Sequence, residues 1–321
     1  MQNHVMWWIP AIFLLSFSAQ AQPWPQKPLR VIVPNAPGGG SDAVARALAD
    51  RLAPALGQAV VVENRSGAGG RQGAEFVAKS ATDGYTLLLG TGASLITSRA
   101  LYGKLAYDPE KSFAPVALLA RTAYLLVVHP SVPATSVAQL IALARAKPNA
   151  LTYASTGAGS PSHLAAELFR ANAGISLTHV PYKGSAPGTL SVMQGETSLT
   201  FSNLMVALPF IASGRFRALG VTALQRSALA PELPTLAEAG LNGYEVLQFY
   251  SLVAPASTPE PVVRRLHEEI VKRFATVETQ KLLAAQGTEI SLGNAQELAR
   301  LHAREIAKWS ALIKQLNITA E

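Results

Sequence analysis

Cysteine is absent from this chain of 321 residues. Its absence excludes a disulfide framework, a thiolate metal site, a cysteine nucleophile and a cysteine-borne lipid anchor. Charged residues make up only 15% and aromatics 7%, while 49% of the residues are apolar. That balance is the reverse of a disordered chain, and the length exceeds what one hydrophobic core usually fills, so two domains are expected. The histidines at His4, His129, His163, His179, His267 and His302 have no metal-ligand spacing, and no metal or other cofactor is expected. The 27 Lys and Arg against 20 Asp and Glu give a net charge of +7, but the cations are dispersed rather than gathered in a stripe with aromatics. Nucleic acid is therefore not an expected partner; the charge fits either an anionic partner or a basic, soluble surface.

Long hydrophobic runs are confined to the start. Val5 to Phe17 reads VMWWIPAIFLLSF, and Ala19-Gln20-Ala21 follows with the small-x-small pattern of a signal-peptidase site. We read residues 1–21 as a signal peptide cut after Ala21, although no Lys or Arg precedes Lys27. The run is short for a membrane span and Pro10 interrupts it, so a short anchoring or buried helix is the weaker alternative. No later segment has the roughly 18 uninterrupted apolar residues of a transmembrane helix. A soluble, exported protein is the expectation.

Beyond the leader, short β-branched runs alternate with helical stripes. Leu29 to Val33 reads as a strand, and Val44, Leu48, Leu52 and Leu56 at every fourth position form one buried helical stripe. Strands are expected again at 59–62, 85–89, 151–154, 177–180, 198–202 and 249–254, with helices at 72–79, 136–146, 161–171, 188–194 and 261–274. Strands separated by helices imply parallel pairing with helices on both faces. Two apolar stretches between Val116 and Val128, and the strand near Phe249, suggest two crossings between two α/β lobes, with a ligand cleft between them.

Two glycine-rich loops, each between a strand and a helix, point to anion binding. Asn35-Ala36-Pro37-Gly38-Gly39-Gly40 leads into Ser41-Asp42, which are good N-cap residues. Ser155-Thr156-Gly157-Ala158-Gly159-Ser160-Pro161 has the same logic, with added hydroxyls. Glycines let backbone approach a ligand, and the first turn of a helix offers free N–H groups that attract anions. About four hydrogen bonds to a carboxylate, at roughly 1.5–3 kcal/mol each, match the ~8 kcal/mol of micromolar binding before association costs. A single such loop is equally a tight packing turn. Other motifs weigh less: Gly67-Ala68-Gly69-Gly70-Arg71-Gln72-Gly73 departs from the dinucleotide fingerprint, no G-x-S-x-G surrounds Ser160 or His163, and Lys183 fits a solvated loop as well as a cleft. No enzyme activity is expected.

Taken in order, VPNAPGGGSDAVARALADRL, VVVENRSGAGGRQGAEFVAKSATDGYTLLLGT, LTYASTGAGSPSHLAAELF, HVPYKGSAP, RALGVTALQRSALAPELPTLAEAGL and EIAKW resemble the tripartite tricarboxylate transporter substrate-binding proteins, the Bug receptors. The resemblance runs from Pro25 to about Ile318. It implies a two-lobed periplasmic binding protein of type II (Venus flytrap) fold, each lobe a mainly parallel sheet flanked by helices, the two joined by crossing strands. Residues 22–123 plus 248–321 would form the first lobe and 124–247 the second, with the C-terminal helix packing across. The implied function is capture of a small carboxylate and its delivery to membrane permease subunits, or presentation to a sensor, by a protein expected to be monomeric.

Carried over by position, the resemblance places ligand contacts at Asn35, Ala36, Gly38, Gly39, Gly40, Ser41 and Asp42. It adds Thr91, Gly92 and Ala93 from the first lobe. From the second it adds Ser155, Thr156, Gly157, Gly159, Ser160, His163, Phe201 and Ser202. Asn35 stands where an aromatic is common, Ala36-Pro37 reverses the usual order, and Ser202 replaces a frequent Asp. The missing Asp disfavours an amino-acid ligand and favours a non-amino carboxylate, aromatic or dicarboxylic.

Overall fold

A computed structural model describes residues 24–319. The signal-peptide reading lies outside the described residues. Among them, no helix is long and apolar enough to cross a membrane.

The first half contains β1 (Leu29–Val33), α1 (Gly40–Leu56), β2 (Val60–Asn64), α2 (Arg71–Ala78) and β3 (Thr86–Thr91). A π-turn at Ala93–Thr97 leads into α3 (Ser98–Tyr102), and β4 (Phe113–Val128) follows. Then come α4 (Val137–Ala146), β5 (Thr152–Ser155), α5 (Pro161–Ala173), β6 (Thr178–Pro181), α6 (Ser185–Met193), β7 (Leu199–Asn203), α7 (Leu204–Ala212) and β8 (Arg217–Val221). The chain closes with β9 (Leu247–Pro255), α8 (Glu260–Arg273), α9 (Val277–Ala284), β10 (Glu289–Gly293) and α10 (Ala295–Gln315).

The two apolar stretches around residues 116–128 are one continuous strand, β4, shared by both lobes. Its first part pairs with β9 and β10, its last part with β7 and β8, all antiparallel. Outside these crossing strands the sheets are parallel: β2-β1-β3 in the first lobe and β6-β5-β7 in the second. A two-lobed α/β fold built on a mixed, continuous sheet results.

Alternation along β1 explains why it reads as unbroken hydrophobic sequence. Leu29, Val31 and Val33 face the layer of α1 and α8, whereas Ile32 joins the cluster on the opposite face, so both sides are covered. Val44, Leu48 and Leu52 are fully buried against that first layer, as their spacing predicts. Each such side chain contributes about 1.5–3 kcal/mol by leaving water. α10 lies along β4, and its Leu298, Leu301 and Trp309 join the cluster that extends into the second lobe.

Candidate functional site

The first glycine-rich loop is organised differently from its sequence reading. Ser41 and Asp42 do not cap α1; Gly39 is the N-cap, in extended conformation at φ −89° and ψ 175°, and no side chain caps the helix. The first-turn N–H groups of Gly40, Ser41 and Asp42 therefore have no intrahelical acceptor. Asp42, 5% exposed, is turned inward as a brace. Its carboxylate accepts from Arg46 Nε at 2.9 Å and Nη2 at 3.1 Å, from Gly38 N–H at 3.1 Å and from Asn64 Nδ2 at 3.0 Å. Burial pushes its pKa up, but these hydrogen bonds and the Arg46 charge outweigh burial and hold it below the ordinary value. Asn64 also donates to the Asn35 carbonyl at 3.1 Å, closing the loop. Nearby, Thr91 N–H donates to Ser94 Oγ at 3.0 Å and the two hydroxyls lie 3.2 Å apart, so Thr91 is an internal turn residue leading to Gly92 and Ala93.

The second loop has spent most of its backbone donors. Thr156 N–H donates to Ser162 Oγ (3.0 Å), Gly157 N–H to Ser155 Oγ (3.2 Å), Gly159 N–H to His163 Nδ1 (2.9 Å) and Ser160 N–H to the Gly157 carbonyl (3.1 Å). Here a side chain does cap the helix: Ser160 Oγ accepts from His163 N–H, and Pro161 opens α5. The expectation of free N–H groups at this loop is corrected accordingly; what it presents is hydroxyls.

Beneath the loop lies an aromatic stack. His163 and His179 stack at 4.0 Å between ring centroids with 6° between planes, and Tyr153 continues the stack at 4.7 Å from His179. His179 Nε2 is 2.7 Å from Ser155 Oγ. Since His163 Nδ1 accepts from Gly159, its neutral ring carries the proton on Nε2, which faces Glu167 at 3.9 Å. Burial, and next the neighbouring His179, lower the His163 pKa to about 4. The Ser160 hydroxyl bonds the His163 backbone N–H and not its imidazole, so no nucleophile–base pair forms there.

A cavity of about 180 Å³ opens on the second lobe. Of the expected contacts, Ser155, Thr156, Phe201 and Ser202 line it, whereas Gly157, Gly159, Ser160 and His163 support the loop from behind. Ser162, Ser185, Thr189, Thr200 and Asn203 line it as well, and Tyr124 reaches in from β4. No charged side chain lines it. The sequence reading missed Ser185 because it began the helix at Gly188, whereas α6 starts at Ser185, and it missed Thr189 as one residue of that helix without a motif of its own. It missed Tyr124 because that residue sits within an apolar strand.

The first-lobe residues 35–42 and 91–93 do not line this cavity; Thr91 is opposite Tyr250 of β9 in the ladder. A β-carbon at Gly40 would lie 2.6 Å from the Tyr250 hydroxyl, and one at Gly92 would lie 3.7 Å from Gln248 Oε1. Glycine at position 40 is thus what lets the first turn of α1 meet β9.

Other features carry less chemistry. A broader concavity of about 980 Å³ lies on the outer edge of the first lobe, but its cations are partnered: Lys27 with Asp83 at 3.2 Å and Lys79 with Glu75 at 2.6 Å. The Gly67–Gly73 segment serves packing, since a β-carbon at Gly73 would lie 2.9 Å from the Arg65 carbonyl. Arg71 is held over the Tyr102 ring and donates to the Ala68 carbonyl. Lys183 is exposed.

Comparison with known proteins places these features in context. Residues 44–318 match the tripartite tricarboxylate transporter family receptor. Protein BugT of Bordetella pertussis is 33% identical, over 92% of this chain and 91% of that protein. The structure of R. palustris Rpa4515 with adipate superposes with a TM-score of 0.81 at 38% identity, covering 92% of this chain and 99% of that one. MatC (Rpa3494) from Rhodopseudomonas palustris with bound malate gives 0.76 at 31% identity, covering 90% and all of that chain. A matched segment of this length and relatives of this identity show that the chain belongs to the tripartite tricarboxylate transporter receptor family.

Proposed function

We propose that this protein is a periplasmic receptor, exported by cleavage near Ala21. In this reading it captures a small non-amino carboxylate between its lobes and delivers it to the permease of a tripartite tricarboxylate-type transporter. It binds without turnover and acts as a monomer. The lobes comprise residues 22–123 with 248–321, and 124–247. The ligand is held by the loops 35–42 and 91–93 from one side and by 155–163 with Phe201 and Ser202 from the other. The observation that carries this reading is a pair of unlike half-sites on one seam: uncapped N–H groups at the start of α1, and an uncharged, hydroxyl-rich cavity at the end of β5 and β7. N–H groups and hydroxyls suit carboxylate oxygens, and the helix dipole adds to the first. Relatives holding adipate and malate support the ligand class. Ser202, in place of a carboxylate, leaves an amino group without a counter-charge.

Native mass spectrometry of the protein as purified should reveal a trapped organic acid. Calorimetry with dicarboxylates, aromatic acids and amino acids should then show one-to-one binding of a non-amino acid. Tight binding of aspartate or glutamate alone would sink the ligand assignment, and a bound nucleotide would overturn the receptor reading.

A further inference from the structure

Two phenols on the crossing strands stand outside the hydrogen-bond network. Tyr107, Tyr153 and Tyr244 donate to the Ser94 carbonyl, Glu167 and the Ala165 carbonyl, respectively. Among the described residues, neither the Tyr250 nor the Tyr124 hydroxyl has a protein partner. Tyr250 is only 5% exposed, and its hydroxyl oxygen keeps some of that exposure, so it is a donor available to a ligand rather than an orphan sealed in the core. Its oxygen is aimed at the first turn of α1, against Gly40, where the uncapped N–H groups lie. Tyr124 lines the second-lobe cavity.

The two residues belong to the crossing strands themselves. Tyr250 of β9 is opposite Ala120 of β4, and Tyr124 lies an even number of residues further along β4, so both share one face of the ladder. Burial raises the pKa of both phenols, and Tyr250 adds to the effect on Tyr124, so both remain protonated donors at neutral pH. A neutral donor therefore stands at each half-site, on the element that joins the lobes.

We propose that Tyr250 and Tyr124 are the specificity-determining contacts of the cleft. Tyr250 donates to a carboxylate seated on the first turn of α1, and Tyr124 donates to a second carboxylate in the hydroxyl-lined cavity. The pair thereby selects acids with two carboxylates over acids with one. The inference rests on the carboxylate-receptor reading.

The test is calorimetry of wild type, Tyr250→Phe and Tyr124→Phe with the straight-chain diacids from succinate to suberate and the monoacids from butanoate to octanoate. Wild type should prefer diacids. Tyr250→Phe should weaken diacids and monoacids alike by about 10- to 100-fold, the range for a hydrogen bond to a charged group. Tyr124→Phe should weaken only the diacids, by a similar factor. Both variants should keep the ligand-free melting midpoint of wild type, whereas Tyr244→Phe, which loses a bond to the Ala165 carbonyl, should lower it. Undiminished affinity in either variant overturns the proposal, as does a ligand-free midpoint that falls as in Tyr244→Phe, since the hydroxyl would then have a structural role. Failure of every acid to bind wild type overturns the receptor reading itself, and this proposal with it.

Discussion

The two glycine-rich loops look alike in sequence and are built on opposite principles. At 35–42 a carboxylate, Asp42, ties down the loop from inside, and the first turn of α1 is left uncapped. At 155–163 the His163 imidazole and a set of serine hydroxyls absorb the backbone donors, and Ser160 caps α5. One half-site therefore offers N–H groups and the other offers hydroxyls. The difference teaches that glycine content signals close approach of backbone, whereas neighbouring side chains decide which donors remain available.

The largest expected effect separates the two loops by pH. His163 is held neutral in the fold, with a pKa of about 4 against an ordinary value of 6.5. The unfolded chain therefore binds more protons between these values, and stability present above about pH 6.5 is lost as pH falls toward 4. A difference of this size is worth on the order of 3 kcal/mol. The groups facing the ring are His179, Glu167, Arg170 and Tyr153, and of these Glu167 works against the shift. His302, also lowered to about 4 by burial, adds a loss of the same sign. Denaturant unfolding from pH 7 to pH 4 should show a steep fall in wild type and about half that slope in His163→Gln. An unchanged slope would show that the imidazole stack does not hold the second loop.

Asp42 behaves oppositely. Its pKa lies below the ordinary 3.8, so its contribution is intact above that value and lost only as pH falls through the lower folded value, beneath the histidine window. Asp42→Ala leaves Gly38 N–H, Asn64 and Arg46 without their shared acceptor. At about 1 kcal/mol for each hydrogen bond, the variant should lose about 2–3 kcal/mol at pH 7, read by denaturant unfolding. It should also loosen the first loop while the pH slope assigned to His163 persists. Loss of both slopes together would mean that the loops are not independent.

Much of the scaffold was legible from spacing. The stripe Val44, Leu48, Leu52 and Leu56 is buried as its period requires, because a helix packed on one sheet face exposes its sequence to a single constraint. α7 was not legible: LMVALPFIA is apolar all round and contains Pro209, so it carries no period to read. β10 was missed because only one of its five residues is buried and its partners come from the distant strand β4. In the candidate site, both loops were read from their glycines. The cap was misplaced because Ser41 and Asp42 have capping chemistry, whereas the helix start is set by backbone dihedrals at Gly39. Tyr124 and Tyr250 were invisible as candidate contacts, since a phenol in an apolar strand differs from a core tyrosine only in whether its hydroxyl finds a partner.

The smallest effect is the most direct trial of the contrast between a capped and an uncapped helix. Ser160→Ala removes the acceptor for His163 N–H and should cost about 1 kcal/mol of stability. Gly39→Ser runs the other way. The extended conformation at Gly39 suits serine, and no atom lies within 4 Å of where its β-carbon would be. Its hydroxyl would accept from the first turn of α1 and add a few tenths of a kcal/mol to stability. The same hydroxyl would compete with a carboxylate for those N–H groups, so affinity for the bound acid should fall several-fold while the melting midpoint rises slightly. Calorimetry and thermal unfolding on one preparation separate the two quantities. If affinity rises with stability, the anion does not sit on the first turn of α1, and the functional difference between the two loops disappears.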